Sequence, residues 1–173
     1  MKKLITLLKR MAFDFVVNFL ASSWISNTYF RKMLYNLSGI KSYTKDIRQG
    51  VYFFSNNIKI GEKSFINSFT KFYCTSFEEK GCISIGKNVY IGMGCLFTTI
   101  THEIGTSEQR AGKNIYENII IGDGVWIGAN CTILPGIIVE EGCIIAAGST
   151  VNKNCLANGL YAGTPAKRVR NLN

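Results

Sequence analysis

The chain has 173 residues, 47% hydrophobic and 18% charged, with 17 Gly and only 2 Pro. These values exclude a disordered or proline-rich linker protein and fit one globular domain with a short extension. The net charge of +9 is uneven, because residues 1–50 hold nine Lys/Arg against Asp14 and Asp46; this suits an anionic lipid surface or a polyanionic substrate, and with no recognition motif present no nucleic-acid partner is expected.

At the amino terminus, Met1–Leu8 looks like the start of a signal peptide. Lys9 and Arg10 interrupt the apolar stretch, however, and no small-residue cleavage site follows. The next apolar run carries Asp14 and Asn18, too polar for a membrane span. The expectation is therefore a cytoplasmic chain, with the inner face of the membrane as a further location. Lys2–Leu20 reads as a helix with a basic start. Ser23–Leu37 reads as a second, with Trp24, Phe30, Leu34 and Leu37 as its apolar positions and Ser38-Gly39 as its stop. The pair either caps the end of a larger fold or makes a peripheral membrane contact.

From residue 51 a six-residue period takes over. Branched aliphatics stand at Ile121, Ile127, Ile133, Val139, Ile145 and Val151, often with Gly or Ala next. The same phase runs through Ile85, Ile91 and Phe97, and an earlier block holds Phe54, Ile60, Ile66 and Phe72. Small residues recur four places later, as at Ser64, Thr70, Val89, Cys95, Thr101, Cys131, Cys143, Ser149 and Cys155. A period of six fits neither a helix nor strand alternation. It fits short strands joined at corners, three to a triangular coil, with the aliphatic pointing inward and the small residue filling the remaining space.

Four of the six cysteines fall in that small slot, which reads as compact core filling. Cys74 and Cys82 lie outside the phase and keep an open role. No CxxC pair occurs and the chain has one histidine, so no metal is expected. The phase slips by one residue across Thr75–Cys82. It breaks at 103–118, where Glu103 and Gln109 would occupy core slots; burying a charge there is costly, so this segment is expected to loop out. The division is thus a helical extension at 1–50, a β-helix domain at 51–156 with the loop 103–118, and a basic tail at 157–173 holding Lys167, Arg168 and Arg170.

Several stretches carry a family resemblance over about residues 50–171: Thr98-Thr99-Ile100-Thr101-His102, Ile121-Gly122-Asp123-Gly124-Val125-Trp126-Ile127-Gly128, Ile133-Leu134-Pro135-Gly136 and Ala162-Gly163-Thr164-Pro165-Ala166-Lys167. Together they resemble the hexapeptide-repeat acetyltransferases, in particular the galactoside and maltose O-acetyltransferases and their relatives acting on capsule, exopolysaccharide or lipopolysaccharide sugars. Phe30–Lys41 is similar to an amino-terminal segment of polysaccharide-modifying members.

The resemblance implies a mainly β fold, a left-handed parallel β-helix, assembled as a homotrimer. It implies direct acetyl transfer from acetyl-CoA to a sugar hydroxyl, with His102 as general base; neutral imidazole suits removal of a proton from so weak a nucleophile. The backbone N–H of Ala129 is implied as an oxyanion donor. Asn67 and Trp126 are implied on the acceptor side, and Ala129, Ala147, Asn152, Lys153, Lys167 and Arg170 along coenzyme A. Two departures stand out. Asn152 replaces the family's usual threonine, and Cys74-Thr75-Ser76 lacks the acidic residue of the sugar enzymes, which points away from a galactoside or maltose acceptor. A cell-surface polysaccharide or its lipid-linked precursor is the expected carbohydrate acceptor.

Because the repeat specifies only a fold, other activities compete. A hydratase of the carbonic-anhydrase-like kind needs three zinc-binding histidines and meets one. A non-catalytic membrane-associated scaffold, and N-acetylation of an amino sugar or xenobiotic, remain as alternatives.

Overall fold

The computed structural model describes residues 2–75 and 81–172. The phase slip expected across Thr75–Cys82, and Ser76 with it, lies largely outside the described residues. The remainder is a triangular prism of stacked coils. A partial turn opens it, with β1 (Lys41–Ser42), an isolated bridge at Ile47, and β2 (Tyr52–Phe53). Two full coils follow: β3 (Ile58–Ile60), β4 (Phe65–Ile66) and β5 (Lys71–Tyr73), then β6 (Ile83–Ile85), β7 (Tyr90–Ile91) and β8 (Leu96–Thr98). A hairpin, β9 (Ile100–Ile104) and β10 (Ala111–Tyr116), leaves the prism here. Two more coils are β11 (Ile119–Ile121), β12 (Trp126–Ile127) and β13 (Thr132–Ile133), then β14 (Ile138–Val139), β15 (Ile144–Ile145) and β16 (Thr150–Val151). Two longer strands, β17 (Gly159–Gly163) and β18 (Ala166–Asn171), close the chain.

The coils generate three parallel sheets, one per prism face. Sheet A runs β1-β3-β6-β11-β14, sheet C runs β2-β5-β8-β13-β16, and sheet B runs β4-β7-β12-β15-β17, with β18 added antiparallel at its edge. Sheet pairing begins at Lys41, before residue 51, and Gly159–Gly163 and Ala166–Asn171 pair as strands across a turn. Equivalent aliphatics stack in register along each face: Ile60, Ile85, Ile121 and Val139 on sheet A, for example, and Ile66, Ile91, Ile127 and Ile145 on sheet B. All are buried. The corners must pass close to one another for this stacking. A Cβ on Gly128 would lie 2.5 Å from the Ala147 amide nitrogen, and one on Gly92 would lie 2.5 Å from that of Ala129, so only glycine fits.

The small inward residues do more than save space. Ser64 and Thr70 donate to the carbonyls of Gly86 and Gly92, at 2.8 and 3.1 Å. Cys95, Cys131 and Cys143 do the same to Gly128, Ala146 and Leu156, each at 3.1 Å. Hydroxyl and thiol therefore serve one purpose, satisfying a carbonyl of the next coil that has no ladder partner. Burial pushes the Cys155 thiol up to about 12 and raises Cys74 and Cys143 as well, so these groups stay protonated donors. Cys74 joins the core and meets Ser55 Oγ at 3.3 Å.

Two inward positions differ from the repeat reading. Phe53, not Phe54, enters the core and stacks on Phe72 at 5.3 Å. One extra residue in the turn before Ile60 moves Phe54 outward, beneath the Arg10 guanidinium at 4.3 Å. Thr101 is exposed, because the chain has already left the prism at Thr99.

The first amino-terminal helix lies over the expected Lys2–Leu20, and the second departs from expectation in its start and its buried face. The first helix is α1 (Lys2–Phe13), continuing as a π-helical segment Asp14–Ala21. The second, α2 (Thr28–Leu37), starts at an Asn27 cap whose side chain accepts from the Phe30 amide, five residues later than expected. Trp24 and Leu37, expected as apolar anchors, are 78% and 76% exposed, and Phe30 is exposed too; of the four only Leu34 packs on the core. Arg31 and Tyr35 are buried instead. The Arg31 guanidinium donates to the carbonyls of Ala21, Ile47, Ser23 and Ser26 at 2.7–3.0 Å, tying α2 to the π-helical segment and the first turn. Tyr35 meets the Phe53 ring edge-on at 5.0 Å. Asn18 covers the open edge of sheet C, accepting from the Phe53 amide and donating to its carbonyl, both at 3.0 Å. Among the described residues no helix is long and apolar enough to cross a membrane.

Candidate active site

Polar sequence at 103–118 suggested an irregular loop, yet the segment is an antiparallel hairpin with an anchored root. Thr99 is fully buried, its amide donating to the Tyr73 carbonyl at 2.9 Å and its hydroxyl 3.1 Å from that of Gly81. On the returning side, Asn118 Oδ1 accepts from the amides of Gly81 and Cys82 at 2.8 and 3.0 Å. These two side chains fix where the hairpin leaves the prism. Thr99 stood within a recognisable motif, and Asn118 is the last residue before the aliphatic phase resumes; neither position betrayed its clamp in the sequence.

His102 lies on β9, opposite Asn114. Its Nδ1 is 3.1 Å from the Gly112 carbonyl oxygen. A carbonyl only accepts, so Nδ1 carries the proton in that bond and Nε2 presents its lone pair outward. The pairing shifts register between Ala111 and Asn114, bringing the Gly112 carbonyl to the ring. A Cβ at Gly112 would come 2.9 Å from the Glu103 carbonyl, so a side chain there would disturb the same support.

The remaining candidates fall at two corners. Asn67, Ala129 and Ala147 follow strands of sheet B and line the corner where the chain turns from sheet B to sheet C. Asn67 Oδ1 accepts from the Ser68 amide at 2.8 Å. The amides of Ala129 and Ala147 donate to no group among the described residues. Trp126 is half exposed on the outer face of sheet B, in register with Tyr90 and Ile144. Lys167 pairs with Ala162 near this corner, and Arg170 pairs with Leu160 on the same sheet. Neither cation has a partner among the described residues. Arg168 between them is occupied, donating to the carbonyls of Ala157 and Asn158 at 3.0 and 3.2 Å and reaching the Tyr161 hydroxyl at 3.3 Å.

Asn152 and Lys153 stand at the other corner, from sheet C to sheet A, where the His102 hairpin also emerges. Along the prism, Asn152, Lys153 and the root of the His102 hairpin fall on one edge, and Asn67, Ala129, Ala147 and Lys167 on or near another, with sheet C between them. Clefts of about 270 Å³ beside Tyr43 and Asp123 and about 420 Å³ beside Lys9 and Phe54 are lined by other residues.

Comparison with known proteins bears on this arrangement. The bacterial transferase hexapeptide (six repeats) family matches residues 118–153. A Dictyostelium discoideum protein bearing an acetyltransferase name is 32% identical over 141 residues, 82% of this chain and 70% of its own length. The galactoside O-acetyltransferase of Escherichia coli is 32% identical over 71% of this chain and 59% of its own. A crystal structure of a hexapeptide-repeat acetyltransferase from Vibrio cholerae, complexed with acetyl-CoA, superposes with a TM-score of 0.77 at 28% identity, covering 96% of this chain and 88% of that one. The chain spans between 44% and 70% of the length of several curated relatives that it matches.

Proposed function

Because the chain belongs to the hexapeptide-repeat acetyltransferases, which share the left-handed parallel β-helix, we propose that it moves an acetyl group from acetyl-CoA to a carbohydrate hydroxyl, with His102 as general base. The observation that carries this reading is the His102 ring, held through Nδ1 on Gly112 with Nε2 open at the surface. The acceptor hydroxyl gives its proton to Nε2 as its oxygen attacks the thioester carbonyl carbon. The tetrahedral oxyanion is met by a backbone amide, for which Ala129 is the candidate. Collapse breaks the C–S bond, the thiolate recovers the proton from the imidazolium, and an ester and free coenzyme A leave. No covalent enzyme intermediate is required.

The residues present fit coenzyme A. Small side chains at Ala129 and Ala147 leave the corner open to a pantetheine arm, and their free amides can donate to it. Lys167 and Arg170, without partners among the described residues, suit its phosphates, and Asn152 and Lys153 contribute from the other corner. Because the two corners lie on either side of sheet C, the site is completed between adjacent subunits, for which a homotrimer with three equivalent sites is the simplest closed arrangement. Asn67 and Trp126 belong to the acceptor side. The acceptor is proposed to be a cell-surface polysaccharide or its lipid-linked precursor, modified in the cytoplasm where acetyl-CoA is held; the basic extension supports this choice.

The test follows thiol release from acetyl-CoA across neutral and amino sugars, comparing the wild type with His102→Ala. Loss of a general base lowers turnover about 10²–10⁴-fold, with coenzyme A binding retained. Equal turnover in the variant would remove His102 from the mechanism. Mixing His102→Ala chains with Ala129→Trp chains, each inactive alone, restores part of the activity if the site is shared between subunits, and none if each chain acts alone.

A further inference from the structure

The amino-terminal helices turn Val17, Ala21, Leu34 and Tyr35 to the protein together with several polar side chains, and leave a broad second apolar face in solvent, which an ordinary surface helix does not. Arg10, Asp14 and Asn18 face the prism. Arg10 binds Asp14 at 2.8 Å, donates to the Phe54 carbonyl and covers the Phe54 ring, while Asn18 holds the Phe53 backbone. On the other side, Leu4, Leu8, Met11, Phe15 and Phe19 recur at spacings of three and four, and all are exposed. Tyr29, Met33 and Leu37 form an exposed stripe on α2, and the connecting turn carries Ile25 at 97% exposure. The two stripes join. Phe19, Leu20, Ile25 and Phe30 border one cleft of about 230 Å³, and Ala12, Val16 and Leu37 line another between the helices. At on the order of 100 Å² apiece, these nine side chains exceed the roughly 300–600 Å² of the largest apolar patch on a typical monomer.

We propose that this surface docks on an anionic lipid bilayer, the helices lying in the headgroup region with the Leu4–Phe19 stripe in the acyl boundary. Charge selects this occupant. Asp14 is the only acidic residue before Asp46 and is ion-paired with Arg10; with Arg10 and Arg31 turned to the protein, seven of the nine cations of residues 1–50 remain for a partner surface. A second copy of the same face would set these charges against each other, whereas anionic headgroups neutralise them. Exposed Trp24, and Tyr29 with the Lys45 ammonium 2.7 Å from its hydroxyl, supply rings suited to the interface. With no described helix able to span a membrane, the chain lies on it. Docking also places the candidate site usefully. Phe54 stands beneath Arg10 at the corner between sheets C and A, and the hairpin bearing His102 leaves the same corner two coils on, about 10 Å along the prism axis.

This surface does not depend on acetyl transfer, and the test reads lipid binding by itself. The full chain is floated with vesicles of phosphatidylethanolamine and phosphatidylglycerol, and with phosphatidylcholine alone, at low and high salt. The wild type is expected to float with the anionic vesicles, and at least about tenfold less with the neutral ones or at high salt. Leu8→Glu/Phe15→Glu is expected to lower anionic partitioning at least about tenfold, with unchanged molar mass and melting temperature. Met11→Ser/Phe19→Ser, which adds no charge, is expected to give a smaller loss in the same direction. Absence of wild-type flotation, or equal flotation of both variants, overturns the proposal. A lower molar mass in the variants also overturns it, by assigning the surface to contacts between copies.

Discussion

In the prism the aliphatic of each repeat points inward; in the amino-terminal helices many apolar side chains point outward, and charged or amide side chains join Val17, Ala21 and Tyr35 in facing the protein. The prism is held by repetition. Each coil buries the same aliphatic and offers the next coil the same hydroxyl or thiol, so stability accumulates from nearly equal local terms. The extension is held by a few unlike contacts, namely the Arg31 carbonyl cluster, Tyr35 on Phe53, and Asn18 on the sheet edge. A periodic pattern therefore predicts burial well in one region and fails in the other, where single polar side chains decide which face turns inward.

The comparison is tested most severely at Arg31. Arg31→Ala leaves four carbonyls without their donor, and a loss of about 3–5 kcal/mol is expected in denaturant unfolding, more than from any one repeat position. A loss below about 1 kcal/mol would mean that apolar packing, not the polar cluster, holds the helices. Within the prism, Cys131→Val keeps an apolar filler but removes the donor to Ala146. It should cost about 1–2 kcal/mol, and Cys131→Ser, which keeps a donor, should cost less. The reverse order would make space, not hydrogen bonding, the rule for that slot. The smallest effect belongs to the outward stripe: Phe19→Ser should change stability by no more than about 0.5 kcal/mol, read as an unshifted unfolding midpoint.

Much of the fold was legible because a six-residue period constrains every repeat alike; Ile121 to Val151 needed no tertiary information to be read as inward. Phe53 and Phe54 were not separable, since both are large and apolar and only the length of the following turn selects between them. The segment 103–118 had to leave the prism on energetic grounds, but its hairpin pairing rests on backbone hydrogen bonds that side-chain pattern does not encode. His102 could be singled out as the chain's one histidine within a motif. Its orientation on Gly112 and the clamps at Thr99 and Asn118 could not, because they join residues 10–37 positions apart.

By itself the sequence determined the prism, its interruption, its small inward slot and the uneven charge, because each depends on spacing or composition along the chain. Tertiary structure alone decided that thiols donate across coils, that Arg31 and Tyr35 are buried while Trp24 and Leu37 are not, and that Asn67 and Ala129 stand on a different prism edge from Asn152 and Lys153. Those outcomes depend on which backbone groups lack partners once the coils are stacked, a quantity that exists only in three dimensions.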